Sequence, residues 1–143
     1  MSIAERWEKF RELPADIEQR LDQLQPLFEQ EVQLAYLFGS LAQNRRGHDV
    51  DLALLSRKKA VFQLRTAITE CLGTERLDLV DLQQTSPILR FEIVRTGRLL
   101  YAADPLVRER FELATLRLYR DTAPLRARQQ EYLRRRITVW FSD

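Results

Sequence analysis

Two short apolar runs bracket a glycine–serine pair and a pair of aspartates, and no other stretch of the chain restricts its fold so tightly. Val32 to Phe38 (VQLAYLF) ends at Gly39-Ser40, and after a polar connection Asp49 to Leu55 (DVDLALL) forms the second run. Short apolar, β-prone runs bounded by turn residues read as buried strands. Asp49 and Asp51 stand at i and i+2, so on a strand both carboxylates leave the same face. Two such acids on an otherwise apolar strand repel each other and lose hydration unless a cation sits between them. Mg²⁺ suits that place, because it prefers oxygen ligands and is commonly held by one or two carboxylates completed by substrate phosphates. Gly39-Ser40, directly after a strand, offers a tight turn at which backbone N–H groups and a hydroxyl can approach a triphosphate.

The remaining elements follow from apolar spacing and its punctuation. Ser2 is placed to cap a helix carrying Ile3, Trp7, Phe10 and Leu13, and Pro14 to open a second through Ile17, Leu21 and Leu24 that Pro26 kinks or restarts. Lys58 to Leu72 has helical spacing and ends at Gly73, placed as a C-terminal cap. Leu77 to Leu82 (LDLVDL) is a third strand, Ser86-Pro87 opens a helix that Gly97 ends, and Leu99 to Ala102 is a fourth strand. Asp104-Pro105 begins a long arginine-rich helical segment, interrupted at Pro124 and finishing in Val139-Trp140-Phe141. This order predicts an α/β fold, a small sheet flanked by helices, too short for a full dinucleotide-binding crevice. One domain over 1–143 is expected: N-terminal helices over 1–30, a core over 31–103 and a C-terminal helical segment over 104–143.

A third acid would complete a two-metal site of the kind that stabilises the attacking and leaving oxygens of an in-line displacement. Asp78 and Asp81 are three apart on one strand, face opposite ways, and alternation does not choose between them. His48, the sole histidine, tempts as a general base but reads as well as a loop residue or a neighbour of the metal acids. Arg45-Arg46 reads equally as a solvated loop or a phosphate clamp. Cys71 is the only cysteine, so no intramolecular disulfide forms, and a reducing cytoplasm is the expected location.

Charge narrows the function classes. The net charge of +2 argues against a dedicated nucleic-acid binder. Basic residues are nonetheless twenty arginines against three lysines, and residues 104–143 hold nine arginines against six acids. Arginine favours bidentate pairing with carboxylate or phosphate. Together with the aromatic chain end, this marks the C-terminal segment as a probe for a partner surface. No apolar run approaches the length that spans a bilayer.

Gly39-Ser40, a loop, then Asp49-x-Asp51 resembles the signature of the DNA polymerase β-type nucleotidyltransferase superfamily. The continuation Leu77-Asp78-Leu79-Val80-Asp81-Leu82, Ser86-Pro87-Ile88-Leu89 and Gly97-Arg98-Leu99-Leu100-Tyr101 is similar to its minimal nucleotidyltransferase (MNT) branch. The resemblance implies a polymerase β-like fold, with Gly39 and Ser40 holding the phosphates of ATP, Asp49 and Asp51 holding Mg²⁺, and Asp78 as third catalytic carboxylate beside them. It further implies an antitoxin that transfers AMP from ATP to a hydroxyl, a tyrosine foremost, of a HEPN ribonuclease toxin with which it forms a hetero-oligomer. Two alternatives stand beside it. One is a binding module that neutralises its toxin by covering it; the other is a small-molecule nucleotidyltransferase, for whose acceptor so short a chain leaves little room.

Overall fold

The structure, a computed structural model, describes residues 13–44 and 49–141, with backbone only for 140 and 141. The expected first helix with Trp7 and Phe10, and the loop residues Arg45, Arg46 and His48, lie outside the described residues. Pro14 and Pro26 punctuate the next stretch, which forms α1 (Ile17–Asp22) and α2 (Gln25–Glu31), with Pro26 in the first turn of α2. Strand β1 (Val32–Phe38) follows without a break, and Gly39–Ala42 winds into the single turn α3. Then come β2 (Val50–Ser56), a 3₁₀ turn (Val61–Leu64) leading into α4 (Arg65–Leu72), and β3 (Leu77–Asp81). Helix α5 (Pro87–Thr96), β4 (Arg98–Ala102), α6 (Pro105–Asp121) and α7 (Ala123–Phe141) complete the order.

The four strands make one mixed sheet in the order β3-β2-β1-β4. Strand β1 pairs antiparallel with both β2 and β4, while β2 and β3 are parallel and joined by the crossover through α4. Side-chain alternation splits the core into two layers. One face, with Ala35 and Leu37 of β1 and Val50, Leu52 and Leu54 of β2, is covered by Leu21, Leu24, Phe28, Ile68 and Leu72 from α1, α2 and α4. The other, with Leu34, Tyr36 and Ala53, packs against Ile93 of α5 and Phe111 of α6. Tyr36 is buried there, but its hydroxyl donates to Glu112 Oε1 at 2.8 Å, so the polar atom is satisfied. Cys71 is partly buried beside the first layer, as a small packing residue would be.

Helix boundaries follow local chemistry. Ser86 Oγ accepts from Leu89 N–H at 3.3 Å to start α5, and Asp104 Oδ1 accepts from Leu106 N–H at 2.7 Å and Val107 N–H at 3.0 Å to start α6. Gly73 ends α4 in the left-handed conformation (φ 69°), as its position predicts. Gly97 ends α5, as the sequence predicts. Its backbone there is extended (φ −73°, ψ 158°), unlike that of Gly73. Glycine is required there by proximity, since a Cβ would strike the carbonyl of Ile93 and come within 3.2 Å of the Leu37 carbonyl oxygen. The helix predicted from Lys58 begins only at Val61, as a 3₁₀ turn.

Candidate active site

The acids gather at one end of the sheet, on the face that α5 and α6 cover further along β1. Asp51 alternates with Ala53 on that face. The parallel register of β2 and β3 pairs Asp51 with Asp78, so the two carboxylates lie on neighbouring strands on the same side. The antiparallel register sets Phe38, the last residue of β1, opposite Asp51, which brings the Gly39-Ser40 turn alongside it. Gly39 has φ +75°, and a Cβ there would land on Asp51 Oδ2. Both the left-handed backbone and the close approach of the carboxylate demand glycine at this place.

Asp49 departs from its expected position. It precedes β2 rather than lying in it, and its side chain is 56% exposed. Asp51 is partly buried and loses hydration, whereas Asp49 does not. Asp49 Oδ1 lies 3.7 Å from Arg76 Nη1, on the turn that leads into β3, and Val50 N–H donates to the Arg76 carbonyl at 2.8 Å, tying that turn to the start of β2. Arg76 escaped the sequence reading because one arginine before a strand looks like any other in an arginine-rich chain.

Asp81 stands apart from this group. At the end of β3 its Oδ1 accepts from Gln83 N–H at 2.9 Å, an Asx-type turn that leads the chain toward α5. The alternatives left open by alternation are thus separated by the register: Asp78 neighbours Asp51, and Asp81 caps a turn.

Burial first, then the charges of Asp78 and Asp49, push the Asp51 carboxyl up to about 6. A carboxyl that resists ionisation because it is partly buried and has two other carboxylates nearby suits a divalent cation, whose charge would offset the penalty. Among the described residues, no three His, Cys, Asp or Glu side chains are arranged to cage an ion unaided. Mg²⁺ fits such a set because it retains open positions for phosphate oxygens and water. The site's chemical competence is thus an open carboxylate cluster beside a glycine turn, suited to a metal that arrives with a polyphosphate.

Comparison with known proteins agrees with this fold. The chain has 25% identity and a TM-score of 0.66 to a chain from a crystal structure of the toxin–antitoxin pair MntA–HpeT, in a mutant with two aspartates, two positions apart, changed to glutamate. That match covers 79% of this chain and 98% of the other. A toxin–antitoxin crystallised with AMP-PNP matches at 28% identity and TM-score 0.64, over 81% of this chain and 98% of its own. A third, the tri-AMPylated Shewanella oneidensis HEPN toxin in complex with MNT antitoxin, matches at 24% identity and TM-score 0.64 over 81% and 98% of the two chains, and supports the fold. No curated protein matches at the level of sequence. Residues 22–106, which hold the sheet, the glycine turn and all three acids, match the family described as polymerase beta, nucleotidyltransferase. The chain belongs to the polymerase β nucleotidyltransferase family.

Proposed function

We propose that this chain is the antitoxin of a toxin–antitoxin pair and acts as a Mg²⁺-dependent adenylyltransferase on a HEPN toxin, with a tyrosine hydroxyl as acceptor. The observation that carries the reading is the pairing of Asp51 with Asp78 beneath the Gly39 turn. Complexes of similar chains with toxins, one holding an ATP analogue, support the choice of donor and partner. In this reading Gly39 and Ser40 hold the triphosphate, and Asp49 and Asp51 hold the metal. Mg²⁺, when bound, would neutralise the triphosphate and the pyrophosphate that leaves. The acceptor oxygen bonds to the α-phosphorus, the bond to the bridging oxygen of the β-phosphate breaks, and the hydroxyl proton passes to Asp78. No step needs a small-molecule acceptor pocket if a docked protein holds its own hydroxyl in line. We place the pair in the cytoplasm, the compartment expected of a chain whose single cysteine, Cys71, forms no intramolecular disulfide.

The test is mass spectrometry of the toxin after incubation with the chain, ATP and Mg²⁺. The reading expects AMP additions with wild-type protein and none with Asp49→Asn/Asp51→Asn, which should also lose Mg²⁺-dependent ATP binding while remaining folded. A toxin that stays unmodified yet is inhibited at a stoichiometric ratio would instead establish neutralisation by binding alone.

A further inference from the structure

Helix α7 leaves the body of the protein as a nineteen-residue arm, about 28 Å long at the α-helical rise. Its root is held firmly. The rings of Phe91 and Tyr119 stack with centroids 3.8 Å apart, and the Arg126 guanidinium lies 3.5 Å above the other face of Tyr119. Arg126 Nη1 also donates to the Tyr119 carbonyl at 2.6 Å and to Thr122 Oγ1 at 2.7 Å, across the break between α6 and α7. The direction of the arm is therefore set by a three-layer stack on α5.

Beyond the root, several large apolar side chains of the shaft stay exposed. Leu125, Tyr132, Leu133 and Ile137 are 55, 59, 57 and 49% exposed. At 3.6 residues per turn they fall within an arc of roughly 140° that Gln129 and Arg136 share, so the arm presents a mixed apolar and basic face. Four large apolar groups on one stripe exceed the scattered apolar exposure usual on a monomer's surface, and a helix this exposed draws little stability from itself. The same element concentrates charge. From Ala123 to Phe141 it holds five arginines and one glutamate, more than the whole chain's net charge of +2. Glu131 is shared by Arg134 and Arg135, at 3.9 and 3.2 Å, and so offsets only part of it.

From this we infer that α7 is a preorganised docking arm whose occupant is an acidic surface of the toxin, with an apolar strip to receive Leu125, Tyr132, Leu133 and Ile137 and carboxylates to meet the flanking arginines. Charge decides the occupant. A second copy would bring two strongly basic helices together. A nucleic-acid backbone would pair with the arginines but leave the apolar stripe uncovered. The inference rests on the toxin-partner reading above and adds the surface by which the partner is held. It also lies outside the family match, which ends at residue 106.

The experiment measures affinity of the full-length chain for its HEPN partner by calorimetry at two salt concentrations. Two variants are compared with wild type: Leu125→Ala/Leu133→Ala/Ile137→Ala, which favours helix while removing the stripe, and Arg134→Glu/Arg135→Glu. Each should weaken binding by on the order of thirtyfold, the loss typical of removing a hot spot. The charge variant should also flatten the salt dependence, while binding of AMP-PNP with Mg²⁺ stays unchanged in both. Toxin affinity within threefold of wild type in both variants would overturn the arm. So would variants that dissociate an oligomer of the chain alone, or that lose single-stranded RNA binding while holding the toxin normally. A wild-type chain that neither binds nor modifies the toxin would remove the functional reading itself, an outcome distinct from an arm that proves dispensable in an active pair.

Discussion

Replacing Gly39 by alanine tests the core of the site, because two separable costs meet at one methyl group. The first is backbone strain: at φ +75° an L-residue loses about 1–2 kcal/mol relative to glycine. The second is steric, since the new Cβ would occupy the place of Asp51 Oδ2 and the carboxylate must turn away. Together they should cost roughly 2–3 kcal/mol, or about 6–12 °C in Tm for a chain of this size. The two costs can be separated by a double-mutant cycle with Asp51→Ala. With the carboxylate gone, Gly39→Ala should pay only the backbone strain, which leaves a coupling of about 1 kcal/mol or more. Thermal denaturation of the four proteins at one pH supplies the cycle, and titration of AMP-PNP with Mg²⁺ supplies the functional counterpart. If Asp51 holds the metal as proposed, Gly39→Ala alone should weaken nucleotide binding at least tenfold, because it displaces that carboxylate. Strict additivity of the two substitutions in stability would refute the claim that Gly39 is reserved for the carboxylate.

Three further outcomes follow from the same geometry. Because the folded Asp51 carboxyl sits near 6 against an ordinary 3.8, it contributes stability below about pH 3.8 that is lost as pH rises through about 6; Asp51→Asn should flatten that part of the Tm–pH profile and raise Tm at pH 7. Asp78→Asn should abolish AMP transfer with nucleotide still bound, whereas Asp81→Asn should act on stability through its turn, and reversed activities would contradict the register argument. Asp104→Ala removes the acceptor for two N–H groups at the start of α6, and chemical denaturation should register a loss of about 0.5–2 kcal/mol.

Much of the molecule was legible in local chemistry. Strand β1, the helix starts at Ser86 and Asp104, the left-handed cap at Gly73 and the break near Pro124 all appear where caps, prolines and apolar spacing place them. Those signals act through neighbours in sequence, so the sequence contains them in full. The pairing of Asp51 with Asp78 is different in kind. Twenty-seven positions separate the two residues, and only the parallel register of β2 with β3 makes them neighbours. Periodicity gives each strand its two faces, but it cannot say which residue of another strand lies alongside. The same holds for Gly39, twelve positions before the Asp51 carboxylate that a Cβ there would strike, whereas the clash that requires glycine at Gly97 is mainly with the Ile93 carbonyl of its own helix. Asp49 shows the converse limit, since the strand begins one residue later than alternation implies, leaving it exposed at the lip. The sequence by itself therefore determined the elements and the residue types of the site. Tertiary structure alone decided which acid lies beside Asp51, why Gly39 is required, and which side chains of α7 stay exposed among the described residues, because each of these depends on distances between groups the chain brings together only by folding.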